Sequence, residues 1–517
     1  MSEGGPAPEV ESIYGDDDDG GGKGVIRIAS VAALGGLLFG YETAVINGAT
    51  SAIEQDFDIN AATLGFAVAS ALLGAAAGAL SAGRISDKIG RLKVMKIAAV
   101  LFFISALGCA FAPESWGAGG LAVFVFFRVV GGLAVGVASV IAPAYIAETS
   151  PARLRGRLGS LQQLAIVLGI FLSFLINQAL RGLAEDGANS PLWFGLDAWR
   201  WMFLMMAIPA VLYGVLSYTI PESPRFLISQ QRMPEARAVL ERLLGERNLE
   251  ITLDRIRSSM DSEHKPSWKD LKSPAGKIYP IVWIGLFLSI FQQAVGINVV
   301  FYYSNVLWEA AGFDESQAFL TSTITSVINI VTTLVAIALV DRVGRKPLLL
   351  VGSIGMTITL AVVAVCFGQL APKLDPATGE QEFKVLSDGS HEMLQTLPGA
   401  WGWIALIAAN GFVVFFGMSW GPVVWVLLGE MFPNRFRGAA LSLAAAGQWA
   451  ANWTITMTFP AIKDFSLVFG YFMYAAFALL SFLFVFKFVP ETKGKTLEEM
   501  DALAGVGSDE PAAEQAR

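Results

Sequence analysis

The chain has 517 residues, of which 54% are hydrophobic and only 15% charged, and its mean hydropathy is +0.56. Soluble domains are about 45–50% apolar and about 25% charged, so this composition excludes an ordinary soluble fold and points to a bilayer. The net charge of −8 gathers in two polar tails, residues 3–19 and 498–514, so it identifies no partner, and no nucleic acid is expected.

A membrane helix needs about 20 mostly apolar residues to cross about 30 Å of hydrocarbon. Residues 1–24 read as a disordered acidic cytoplasmic tail that lacks the basic start of a signal peptide. An N-terminal half, 25–220, then holds apolar runs at about 26–48, 62–82, 94–112, 121–143, 158–180 and 200–220. A charge-rich linker follows at 221–278, and its stretch 234–245 sets Ala238, Leu240, Leu243 and Leu244 at near-helical spacing, which predicts short amphipathic helices. A second half, 279–490, has runs at about 279–305, 317–340, 347–370, 401–427, 437–460 and 467–489, before a C-terminal tail at 491–517. The reading is an all-α membrane protein of twelve spans in two six-helix halves. Cys109 and Cys366 fall inside apolar runs, which argues against a disulfide framework or metal cluster, and His264 and His391 lie in polar loops.

Lys and Arg set the orientation. Arg84, Lys88, Arg91, Lys93, Arg153, Arg155, Arg157, Arg342, Arg345, Lys346, Arg435 and Arg437 fall on one face, whereas loops such as 49–60, 113–120 and 309–317 have none. The positive-inside rule makes the basic face cytoplasmic, and an even number of spans leaves both termini there. The halves also repeat each other. GRISDKIGRLK at 83–93 answers VDRVGRKP at 340–347, AETSPARLRG at 147–156 answers GEMFPNRFRG at 429–438, and PESPR at 221–225 answers PETKG at 490–494. Three paired motifs in register indicate an internal duplication, an arrangement that puts a substrate site between the halves near the midplane.

Polar residues inside the runs carry the functional reading. Gln163, Gln292, Gln293, Asn298, Asn329, Gln448 and Asn452 are neutral amides in an apolar setting, where each must be paired or face a cavity. Any one of them alone is equally well explained as a bond between helices. As a group beside Trp420, Trp425, Trp449, Tyr302 and Tyr303, they suit a neutral polyhydroxylated ligand with hydroxyl edges and C–H faces. Gln163, Ile170 and Asn177 recur at seven-residue steps on one stripe, and Gln448 and Asn452 share a face.

Glu42 is an intramembrane carboxylate, which is costly when ionised without a partner. It lies about six residues, and Arg128 about seven, from the outer ends of their spans, so at 1.5 Å per residue both sit about 9–11 Å deep and can pair. An acid that binds arginine when ionised and leaves it when protonated couples proton binding to a conformational change; the alternative is a permanent ion pair. At the cytoplasmic helix ends, Asp87 with Arg91, Asp341 with Arg345, Glu148 with Arg155 and Glu430 with Arg437 are expected to latch the inner face and hold an outward-facing state. The arginines also serve as topology signals.

The motifs GGLLFGYETAVING, LQQLAIVLG, QQAVGINVVFYYS, MSWGPVVWVLLGEMFPNRFRG and GQWAANW resemble the sugar-porter family of the major facilitator superfamily, and the similarity runs from about residue 34 to 496. The resemblance implies the major facilitator fold and a monosaccharide carrier in the plasma membrane, not an enzyme, with no cofactor and a proton as coupling ion. It implies that Gln163, Gln292, Gln293, Asn298, Trp420, Gln448 and Trp449 bind the sugar, and that Phe39, Ile170, Tyr302, Asn329, Trp425 and Asn452 line the pocket. It also implies that Glu42 and Arg128 couple the proton, although relatives with symport activity commonly have aspartate at the position of Glu42 and uniporters an uncharged residue. In the family, glucose carriers share Ile170 where the xylose carrier has glutamine, which favours D-glucose over D-xylose or another hexose. The expected partners are the sugar and the lipid bilayer, with the chain acting as a monomer. A facilitative uniporter is the main alternative, and a sugar sensor the weaker one, because residues 497–517 contain no signalling domain.

Overall fold

The computed structural model describes residues 19–150, 152–185, 187–244, 249, 253, 271–272, 276–374, 380–385, 391–433 and 436–493. The tails 1–18 and 494–517 lie outside the described residues. Six spans form the first half: span one at Asp19–Val45, two at Ala61–Ile89, three at Arg91–Ala110, four at Ala118–Thr149, five at Ala152–Leu183, and six at Ala198–Leu204 continued by Ala207–Leu216. In the second half, span seven is broken into Pro280–Ala294, Ile297–Tyr302 and Ser304–Ala310, and span ten into Trp401–Gly417 and Trp420–Met431. Spans eight, nine, eleven and twelve are Glu315–Val343, Arg345–Phe367, Arg437–Phe465 and Leu467–Phe488. Several helices overrun their apolar runs at the basic end, because a helix continues into polar sequence wherever its backbone groups stay paired.

Eleven helices among the described residues are long and apolar enough to cross a membrane, judged by length and composition. The one below that threshold is span eleven, which has the length, 29 residues, but includes Gln448, Asn452 and several hydroxyl residues. Its weak hydropathy is what a helix facing a polar cavity should show.

The caps explain where helices begin. The Asn60 side chain accepts from Thr63 N, Ser466 accepts from Phe469 N, and Asp314 with Gln317 forms a reciprocal capping box at the start of span eight. Close crossings use small residues: a Cβ on Gly132 of span four would lie 1.8 Å from the Ala71 carbonyl oxygen of span two.

The linker contains helices at Pro224–Ser229 and Met233–Leu244. Leu240 and Leu243 are buried as the spacing predicts, but Ala238 is exposed, and Ala236 takes the buried position one turn before Leu240. On the opposite face, the 372–398 loop is pinned by short antiparallel ribbons pairing Ala371–Pro372 with Gln395–Thr396 and Phe383–Val385 with His391–Met393.

Candidate functional site

The two broken helices meet. Span seven is interrupted at Gly296, whose φ of +84° suits glycine, and a Cβ there would lie 2.9 Å from the Tyr474 ring. Just before the break, Gln292 Nε2 donates to the Trp420 and Gly421 carbonyl oxygens at 2.9 and 3.1 Å, at the start of the second segment of span ten. Gln293 Nε2 donates to Gln292 Oε1 at 3.4 Å, and Asn298 Nδ2 donates to Gln293 Oε1. One chain of amides therefore ties both interruptions together, with irregular backbone satisfied by side chains inside the protein.

The other predicted residues divide into two groups. Gln163, Ile170, Gln448, Trp449 and Phe39 are partly buried. Asn329, Asn452 and Tyr302 are buried; Asn452 Oδ1 accepts from Thr456 Oγ1 at 3.1 Å, and Asn329 lies against Gly417. Asn177, which shares the stripe of Gln163 and Ile170, donates to the Val45 carbonyl oxygen at 3.2 Å and ties span five to span one. Next to Gln163, Gln162 is buried with neither amide atom partnered among the described residues. Sequence reading passed over it because it sits one residue off the predicted stripe.

The Trp420 ring is fully buried, and its indole N–H donates to the Leu349 carbonyl oxygen and Ser353 Oγ at 3.1 and 2.9 Å, within its own half. Trp425 is 43% exposed and lies opposite the buried stripe Trp420, Val423, Val424, Leu427, Leu428 and Met431. Five residues separate the two tryptophans, which turns them about 140° apart on a helix.

Glu42 and Arg128 are in contact. Arg128 Nη1 donates to Glu42 Oε1 at 2.6 Å and to the Glu42 carbonyl oxygen at 3.1 Å, and the side chains are 0% and 2% exposed. Ser105 and Gly131 close the surroundings, where a Cβ on Gly131 would lie 2.5 Å from Glu42 Oε1. Glu42 Oε2 and Arg128 Nε have no hydrogen-bond partner among the described residues. Buried polar atoms left this way are costly, and they mark a place where a proton or a moving group would find a partner.

The basic face carries two matching charge clusters. Arg91 bonds Glu148 through Nε and Nη2 at 3.1 and 3.0 Å and Asp87 at 2.9 Å, and Ser223 Oγ donates to Glu148. Arg345 bonds Glu430 through Nε and Nη2 at 3.0 and 2.6 Å, and Thr492 Oγ1 donates to Glu430 at 2.6 Å. Glu222 accepts from the backbone N–H groups of Arg91 and Leu92, as Glu491 does from those of Arg345 and Lys346, so each carboxylate caps a helix start. Gly90 and Gly344, at φ +98° and +106°, let those acids approach: a Cβ would lie 2.5 Å from Glu222 Oε2 and 2.9 Å from Glu491 Oε2. Burial alone would raise the pKa of Glu491, but the N–H groups of Lys493, Arg345, Lys346 and Thr492 outweigh it and hold the carboxyl below its usual range.

Of the predicted pairs, Asp87–Arg91 is present at 2.9 Å. Glu148 and Glu430 also bond Arg91 and Arg345, and Arg437 Nε donates to the Phe432 carbonyl oxygen at 3.1 Å. The side chains of Arg155 and Asp341 lie outside the described residues. Sequence reading used PESPR and PETKG only as evidence of duplication and missed Glu222, Ser223, Glu491 and Thr492 as cluster members. The Arg91–Glu148 and Arg345–Glu430 bonds, with those of Ser223 and Thr492, each join residues of one half and its adjoining segment.

The described side-chain contacts between the halves gather at the opposite end. Asn47 donates to Ser304 Oγ at 3.1 Å and accepts from the Asn305 backbone N–H at 3.1 Å, and Asn305 Nδ2 returns to the Asn47 carbonyl oxygen at 3.3 Å. Ser322 Oγ donates to Asn305 Oδ1 at 2.6 Å, and Arg181 pairs with Glu315 at 3.1 Å. The structure is closed at this end.

The chain matches the family model described as sugar (and other) transporter over residues 28–504. It is 51% identical to a glucose transport protein of Synechocystis, covering 92% of this chain and 97% of that protein. It is 40% identical to the D-xylose-proton symporter of Escherichia coli K12, covering 93% and 95%. The inward-open structure of the Escherichia coli xylose transporter XylE superposes with a TM-score of 0.75 at 37% identity, covering 93% of this chain and 99% of that one.

Proposed function

The chain belongs to the sugar transporter family, a multi-pass membrane carrier with the twelve-helix major facilitator fold, and from that premise we propose that it carries D-glucose together with a proton across the plasma membrane, with both termini cytoplasmic. Glucose is supported by Ile170 and by the 51% identity to a glucose transport protein. The sugar binds between the halves, where Gln163, Gln292, Gln293, Asn298 and Gln448 supply donors and acceptors and Trp425 and Trp449 supply apolar faces for its C–H groups.

The observation that carries symport is the fully buried pair of Glu42 and Arg128, with one carboxylate oxygen and one guanidinium nitrogen left over. Ionised Glu42 holds Arg128. A proton on Glu42 weakens that bond and leaves Arg128 attached only to the Glu42 carbonyl oxygen, so proton binding biases spans one and four toward another packing. That second bond also favours a uniporter reading, in which the pair is permanent and architectural.

Uptake of labelled D-glucose and D-xylose into vesicles, with and without an inward proton gradient, decides between these readings. Wild type is expected to accumulate glucose above equilibrium when the gradient is imposed. Glu42→Gln is expected to lose accumulation but retain sugar exchange. Wild-type uptake that never exceeds equilibrium would make the chain a uniporter.

A further inference from the structure

Between spans five and six, Pro191–Trp193 pairs with Leu196–Asp197 in a small antiparallel ribbon whose turn is Phe194–Gly195. Both turn residues have positive φ, 55° and 74°, the pattern of a type I′ turn, whose first central position favours asparagine, aspartate or glycine. Phenylalanine is rarely found in this left-handed region. Its ring is also 95% exposed. Backbone strain and an exposed ring are both unfavourable in water, and together they mark a segment that meets something apolar.

Ring contacts locate the tip. The Trp193 ring lies 5.2 Å from that of Trp201, edge-on, and Phe194 lies 6.3 Å from it; the Trp201 indole N–H donates to the Trp193 carbonyl oxygen at 3.2 Å. Trp201 is in the first turn of span six, so the ribbon lies back against the start of a membrane span instead of standing away from it. On span six, Ile208, Leu212 and Val215 follow Trp201 at helical spacing and are 65%, 48% and 59% exposed, so the aromatic tip continues a lipid-facing stripe. Residues 191–196 contain no charge.

The base of the ribbon is held by polar contacts. Buried Arg200 donates to the Ala110 and Ala112 carbonyl oxygens at 3.1 and 2.6 Å and pairs with Glu114 at 2.9 Å, while Asp197 lies 3.7 Å away. Trp199 Nε1 donates to Asp56 at 2.7 Å. We propose that this ribbon is an interfacial anchor, with Trp193 and Phe194 entering the headgroup–acyl boundary of the leaflet opposite the basic loops and fixing how the first half sits in the bilayer. Aromatic rings favour that boundary, and the absence of charge makes the contact independent of lipid headgroup charge.

The test places a nitroxide on Phe194→Cys in the full chain, reconstituted in phosphatidylcholine vesicles; Cys109 and Cys366 are buried, and unmodified protein controls for their labelling. The expected result is several-fold protection from a water-soluble nickel chelate, relative to a nitroxide on Lys373→Cys in the outer loop, with ready access to oxygen and no change at high salt. Equal nickel access at the two sites overturns the anchor. Protection accompanied by spin–spin broadening that vanishes on dilution with unlabelled protein also overturns it, because a second copy then covers the ribbon. Phe194→Gly guards against a misleading label, since glycine suits the turn better. An anchor predicts a lower melting midpoint in vesicles for this variant, and a ring merely exposed to water predicts an equal or higher one.

Discussion

The two ends of this molecule are held by different chemistry. At the end opposite the basic loops, the halves meet mainly through neutral groups, Asn47 with Ser304 and Asn305, the latter held by Ser322 of the same half, with one partly exposed ion pair, Arg181–Glu315. At the basic end, bidentate arginine–carboxylate bonds, Arg91–Glu148 and Arg345–Glu430, stay inside a half. A neutral hydrogen bond contributes only about 1 kcal/mol net, whereas separating a buried charged pair costs about 3–5 kcal/mol. Contacts between the halves are therefore mostly neutral, and the bidentate charged bonds lie within a half.

The strongest way to break this contrast is Asn47→Leu, which removes partners of Ser304 and Asn305 together. Leaving buried donors unmatched costs about 1–3 kcal/mol, roughly one to two orders of magnitude in the closed population. Hydrogen exchange over Ser304–Ala310 should accelerate accordingly; unchanged exchange would mean that closure rests elsewhere.

A smaller effect is expected from Glu148→Gln and Glu430→Gln. Each leaves an arginine short of its bidentate acceptor and should cost about 1–2 kcal/mol of thermal stability, with less where the pair is partly exposed. Because the clusters sit in different halves, the double variant should be additive within about 0.5 kcal/mol. A larger coupling energy would show that the clusters act on each other. The smallest effect is that of Arg181→Gln. With side chains 23% and 30% exposed, the Arg181–Glu315 pair contributes about 0–1 kcal/mol, and raising salt should erase the difference from wild type in the same exchange measurement.

Much of the architecture was legible in the sequence because hydrocarbon thickness and helical rise are fixed lengths. Apolar runs become spans, Lys and Arg pick a face, and residue counts from the outer ends bring Glu42 and Arg128 to one depth, where they are found 2.6 Å apart. The paired motifs likewise foretold two clusters at equivalent places. Tertiary structure decided the neighbours. Spacing puts Trp420 and Trp425 on different faces of span ten without saying which face packs on spans seven and nine, and it puts Asn177 on the Gln163 stripe although span one, not a cavity, covers it. Glu148 also bonds Arg91, 57 positions away, a partner that sequence spacing does not point to. The physical reason is that depth and period are properties of one helix, set by its own backbone, whereas a side chain's partner depends on how neighbouring helices are rotated and where each is broken.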